Sequence, residues 1–161
     1  MIQKLKQRKE GFTIIEVLIV LAIAGLILLI VFLAVPALQR NARNTGRKSD
    51  IASILGAVSE YGNNNGGALP ATNLVFSTAF ASSAPKLGYY TTPANITWTN
   101  PAAAAAPADP ANLDKVVVTS YSKCNGSAST TTGATARSVV ALYDVEGSGG
   151  AIVAQCQESG S

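Results

Sequence analysis

From Val17 to Leu38 every side chain is apolar or glycine, and no position offers a charge or a hydrogen-bonding group. Twenty-two residues at a helical rise of about 1.5 Å cover roughly 33 Å, enough for a hydrocarbon core near 30 Å. A core helix of a soluble domain carries a polar face, and this stretch has none. The pattern therefore predicts a helix that crosses a membrane. From Gln39 polarity rises while helical spacing persists. Ile51, Ile54, Leu55, Val58 and Tyr61 recur at intervals of three and four and form one apolar stripe, with Ser49 and Asp50 expected on the opposite side. Asn63-Asn64-Asn65-Gly66-Gly67 is a strong stop, because Asn and Gly tolerate the left-handed conformation of a helix end.

Beyond the stop the period changes. Val116–Tyr121, Ser138–Val145 and Ala151–Cys156 are rich in Val, Ile or aromatics and are separated by Gly/Ser/Thr turns, so each predicts a strand. Leu87-Gly88-Tyr89-Tyr90 and Ile96-Thr97-Trp98-Thr99 are shorter strand candidates within a stretch, 68–114, expected to be mostly loop. The segment from Pro101 to Pro110 (PAAAAAPADP) is of low complexity, and its prolines exclude it from a sheet interior. The expected fold is α+β. A long N-terminal helix, transmembrane in its first half and amphipathic in its second, packs on a small antiparallel meander.

Charge alters this picture little. Lys4, Lys6, Arg8 and Lys9 precede the apolar run and account for the net charge of +3; beyond Lys48 there are four basic and seven acidic residues. No basic stripe with interleaved aromatics is present there, so DNA or a surface ligand as partner has no support in the residues. The chain has no His, which removes the commonest general base and metal ligand, and it has no Gly-rich phosphate loop. No catalytic residue, metal site or cofactor is assigned, and an enzyme is not expected. Asp144 and Glu146 before Gly147-Ser148-Gly149-Gly150 could suggest a calcium loop. Two carboxylates fall short of six to eight oxygen ligands, and a hairpin turn flanked by solvated acids is the preferred reading.

A cleavable secretory signal would share the basic start and would use Ala22-Ile23-Ala24 as its cut site. Against it, Glu16 would lie inside the apolar region, where an acid costs about 2.5–3.5 kcal/mol. The run also continues past Ala24 without need. The junction Lys9-Glu10-Gly11-Phe12-Thr13-Ile14-Ile15-Glu16, and the whole stretch GFTIIEVLIVLAIAG from Gly11 to Gly25, instead resembles the type IV pilin and pseudopilin superfamily. The resemblance covers the first third of the chain.

The resemblance implies a leader at 1–11, cleavage between Gly11 and Phe12 by a prepilin peptidase, and N-methylation of Phe12. It implies a membrane and assembly helix over 12–38, an amphipathic helix over 39–62 and a β-rich head over 63–161. Glu16 is then the assembly residue, neutralising the Phe12 amine of a neighbouring subunit. Gly25 and Pro36 are the expected points of helix kinking; Pro36 removes a backbone hydrogen bond and clashes with the carbonyl of Phe32. The implied partners are identical or related pilin subunits, the peptidase, the inner-membrane assembly platform and, before assembly, membrane lipid. The implied location is the cytoplasmic membrane, single-pass with the N-terminus inside, and then an extracellular filament. A pseudopilin of a type II secretion or competence system is the alternative, and a membrane-anchored or secreted binding domain with its loops exposed is a further one. Cys124 and Cys156, both in the exported part, are expected to form one disulfide that closes a loop of about 32 residues.

Overall fold

A computed structural model describes residues 11–72, 87–90, 93–99, 113–126, 130–132, 135 and 137–159. The chain divides into two compact units, Met1–Gln39 and Arg40–Ser161. Helix α1 spans Ile14–Asn64 and is assigned without a break through Gly25 and Pro36. In the first unit its large apolar side chains are all exposed, from Phe12 to Leu38. By length and composition this segment is apolar enough to cross a membrane.

In the second unit the stripe read from the sequence becomes the core, except for Tyr61, which is only half-buried and lies outside it. Ile51, Ile54, Leu55 and Val58 are buried against Tyr90, Ile96, Trp98, Val116, Val118, Val139, Ala141, Tyr143 and Val145. The alternate residues of one strand, 139, 141, 143 and 145, all face this cluster, as a period of two requires. The helix ends where the asparagines and glycines begin. The Gly67 amide donates to the Gly62 carbonyl at 2.7 Å, and Gly66 and Gly67 take φ of +66° and +92°, values that L side chains adopt at a cost.

The main sheet has four strands in the order β1-β2-β5-β6: β1 Ile96–Thr99, β2 Val116–Ser120, β5 Val139–Glu146 and β6 Ile152–Glu158. A separate two-stranded sheet pairs β3 (Ser122–Cys124) with β4 (Thr130–Thr132). The three longer predicted strands are present and form the expected antiparallel succession β2-β5-β6. The sheet as a whole is mixed, not antiparallel, because β1 pairs parallel to β2 with Ile96 opposite Val116. Residues 100–115 join the two strands, and a connection of a dozen or more residues is what a parallel return needs.

Three local expectations are corrected. Val116–Tyr121 is not one continuous strand: Tyr121 has φ +54°, and the chain turns there from β2 into β3. Leu87–Tyr90 is not a strand, because the amides of Gly88, Tyr89 and Tyr90 all donate to the carboxylate of Asp50. Asp50 is accordingly buried and not on a solvated face. The Pro101–Pro110 segment lies outside the described residues.

Candidate functional site

The N-terminal junction is organised by Thr13 and Glu16. The Thr13 amide and hydroxyl both donate to Glu16 Oε2 at 2.8 Å, and the Glu16 amide donates back to Thr13 Oγ1 at 3.3 Å. This is a reciprocal capping box, Thr at the N-cap and Glu three residues on, and it starts α1 one residue after Phe12. Gly11 and Phe12 precede the helix and are exposed, Phe12 at 91 %. The bond between them is exposed and non-helical. The sequence signal for this cap is T-x-x-E before an apolar run.

Both Thr13 donors converge on one carboxylate oxygen. Among the described residues, Glu16 Oε1 has no hydrogen-bond partner, so the acid keeps an acceptor after capping its own helix. Gly25 and Pro36 lie further along the same exposed segment. A Cβ on Gly25 would meet nothing within 4 Å, so no contact within the chain requires glycine there.

A second polar assembly, not foreseen from the sequence, lies at the start of the second unit. Arg40, Arg43, Asn44 and Arg47 fall on one face of α1 at helical spacing and grip the turn between β5 and β6. Arg43 Nε donates to Glu146 Oε1 at 2.7 Å and its Nη2 to Oε2, a fork-on-carboxylate pair, while Arg47 Nη1 reaches Oε1 at 3.0 Å. Asn44 donates to the Glu146 carbonyl at 2.8 Å and accepts from its amide at 2.9 Å, substituting for a strand partner. Arg40 donates to the Gly147 carbonyl at 3.3 Å. The Arg43 hydrogen bond, joined by Arg47, lowers the Glu146 carboxyl to about pKa 2. Glu146 is thus bound between two guanidinium groups, and Asp144 is buried; the solvated-acid reading of this turn does not hold. Arg47 also lies 4.9 Å from the ring centroid of Tyr89.

Cys124 at the end of β3 and Cys156 in β6 form a disulfide with Cα atoms 5.7 Å apart. Cys156 stands opposite Leu142 in the register, on the sheet face turned away from α1. The bridge therefore fastens the β3–β4 pair to the back of the sheet, where the Cys124 amide also donates to Glu158 Oε1 at 2.7 Å. Among the described residues no cluster of His, Cys, Asp or Glu could hold a metal ion.

Residues 6–32 match the family model of the prokaryotic N-terminal methylation motif. The chain's N-terminus carries a prokaryotic N-terminal methylation motif. The match spans Gly11, Phe12, Glu16 and Gly25, and it is consistent with a type IV pilin or pseudopilin. The pilin-type family is one of structural subunits, and its motif together with the apolar helix fits membrane anchoring before assembly. No curated protein and no solved structure matches the chain. The architecture, a long N-terminal helix whose second half packs on a small mixed sheet, is α+β and pilin-like.

Proposed function

We propose that the chain is the structural subunit of a type IV pilus-like filament. A prepilin peptidase cuts between Gly11 and Phe12, Phe12 is N-methylated, and copies assemble through the helix of residues 12–38. Cleavage creates an amine beside a helix that must pack among others like it. A cation in such surroundings is tolerable only when paired, since isolated buried charge costs several kcal/mol. Glu16 is the one carboxylate in the apolar segment, and its unused Oε1 is the observation that carries this reading. That oxygen can accept from the Phe12 amine of a neighbour while Oε2 keeps the helix capped. Each copy then fixes the axial register of the next.

Two measurements test the proposal. Intact mass and N-terminal sequencing of the mature chain should give a start at methylated Phe12; a start near Gly25 would mean a secreted domain instead. Glu16→Ala should abolish filaments or reduce their yield severely while the chain remains membrane-bound. Wild-type yields of normal filaments from that variant would dispose of the register role. Long surface filaments with this chain as bulk component mark a pilin serving adhesion, motility or DNA uptake. Short periplasmic structures mark a pseudopilin.

A further inference from the structure

Among the described residues β6 is the last strand of the main sheet, with a neighbour, β5, on one side only. The ladder fixes where its backbone points. The Gly147 amide donates to the Ala151 carbonyl at 2.7 Å, and the Ser159 amide donates to the Val139 carbonyl at 2.8 Å. Odd-numbered residues of β6 therefore exchange hydrogen bonds with β5, and the amides and carbonyls of Ile152 and Ala154 point to the open edge. The side chains beside this edge are apolar, Ile152 being 53 % exposed and Val153 41 %. Outside the apolar run of α1, no other large hydrophobic side chain is so exposed among the described residues. Sheet edges are ordinarily blunted by lysine, proline or a bulge. From Ile152 to Gln157 there is no charge and no proline, and the register with β5 runs without a bulge.

The strand is complementary to itself. When two copies run antiparallel and are centred on Val153, Ile152 of each lies opposite Ala154 of the other. Each of these opposed pairs exchanges two hydrogen bonds through the outward backbone groups. Val153 then faces Val153 at a non-hydrogen-bonded position, with about 4.5 Å between Cα atoms, where side chains pack closest. Every opposed pair is apolar. Centring on Ala154 would set Val153 against Gln155. Centring on Ile152 would set Ala154 against Gly150, which has φ +82° and lies outside the strand. Charge favours the antiparallel sense. Glu158 is the one charged side chain between Gly147 and Ser159. Pairing carries it towards the β5–β6 turn of the other copy, where Arg40 donates to the Gly147 carbonyl and Arg43 and Arg47 share the Glu146 carboxylate. A negative end thus meets a positive one at both ends of the pair.

We propose that β6 is a self-association edge, pairing antiparallel with β6 of a second copy of this chain, centred on Val153. The pairing joins two four-stranded sheets into one continuous sheet. It is a contact between heads, and it goes beyond the filament reading and stands without it.

The test uses the full chain in detergent micelles, carrying one added cysteine and treated with a mild oxidant. Val153→Cys places two thiols on Cα atoms about 4.5 Å apart, within the span of a disulfide. Gln155→Cys leaves the two copies of its residue about 14 Å apart along the strands, beyond that span. Asn63→Cys, at an exposed position near the end of α1, measures chance collision. Covalent dimer should form at 153 at least about ten-fold faster than at 155 or 63, because pairing raises the effective concentration of the thiols. Adding Ile152→Lys, an exposed change that puts a charge on the edge, should slow it to the rate of the controls. Peptide mapping of the dimer should show a 153–153 bridge with Cys124–Cys156 intact. Equal rates at the three positions overturn the pairing and leave the edge to a strand of another protein. Faster bridging at 155 than at 153 overturns the register on which the proposal stands, and a dimer bridged through Cys124 or Cys156 counts against it as well. The Glu16→Ala background separates this inference from the filament reading. A 153 bridge that persists there while filaments are lost supports both; a bridge that vanishes with Glu16 overturns the contact between heads and leaves the filament reading standing.

Discussion

Gly46 and Gly56 both sit within α1, and they should respond to the same substitution in opposite directions. A Cβ on Gly46 would fall far inside contact distance of Tyr89 Cε2. Tyr89 has little freedom to retreat, because its amide is bound to Asp50 at 2.7 Å and its ring lies under Arg47. Overpacking of this kind costs about 1–3 kcal/mol, which exceeds the roughly 1 kcal/mol gained by replacing a helical glycine with alanine. Gly46→Ala should therefore destabilise the second unit. Gly56 is exposed with nothing within 4 Å of a new Cβ, so Gly56→Ala should stabilise by up to about 1 kcal/mol. Denaturant unfolding of both variants in detergent, followed through Trp98, checks the pair; a shift of the same sign in both would refute the account of Gly46. Asp50 belongs to this scale as well. Its carboxylate serves three consecutive amides, a role that one carboxylate just ahead of a helical stripe does not announce.

At the level of elements, the clasp between α1 and the β5–β6 turn makes a pH prediction. Glu146 titrates at about 2 in the folded chain, against 4.5 ordinarily, held down first by its hydrogen bond from Arg43. A depressed carboxylate stabilises above its unfolded value, so this contribution is complete above about pH 4.5 and is lost as pH falls towards 2. Thermal unfolding across that interval should show a loss that Glu146→Gln removes; an unchanged acid limb in the variant would sink the assignment. How far the sequence disclosed these elements follows from the range of the interactions that build them. The apolar run, the 51-54-55-58 stripe, the helix stop and the strands β2, β5 and β6 rest on local periodicity and were legible. The parallel sense of β1, the fate of Leu87–Tyr90 and the Arg43–Glu146–Arg47 cluster depend on partners far along the chain; Arg43 and Glu146 are 103 residues apart. Local pattern is silent about such pairs. At the N-terminal junction Gly11, Phe12 and Glu16 stand out in the sequence, but that both Thr13 donors converge on one Glu16 oxygen follows only from the folded geometry.

For the whole molecule, the Cys124–Cys156 bridge is the longest covalent constraint beyond the backbone, closing a loop with a sequence separation of 32. In the chain-entropy account it stabilises by about 3–4 kcal/mol, with smaller values where the reduced chain retains structure. Replacing both cysteines with serine should lower the unfolding free energy by up to that amount and leave the membrane helix inserted. A double variant as stable as the parent would show that the bridge is redundant. The β1–β2 crossover bears on change over time. The parallel register runs from Ile96 opposite Val116 to Thr99 opposite Thr119, and a crossover already long enough for a parallel return leaves it unchanged when lengthened. Doubling such a connection costs only about 0.6 kcal/mol of closure entropy. An epitope spliced between Pro101 and Pro110 should leave the melting temperature within a few degrees of the parent, a larger fall arguing that the segment is built into the core. If the splice is tolerated, this is where related chains can diverge in length and composition without renegotiating the sheet, and where foreign sequence could be carried on the head.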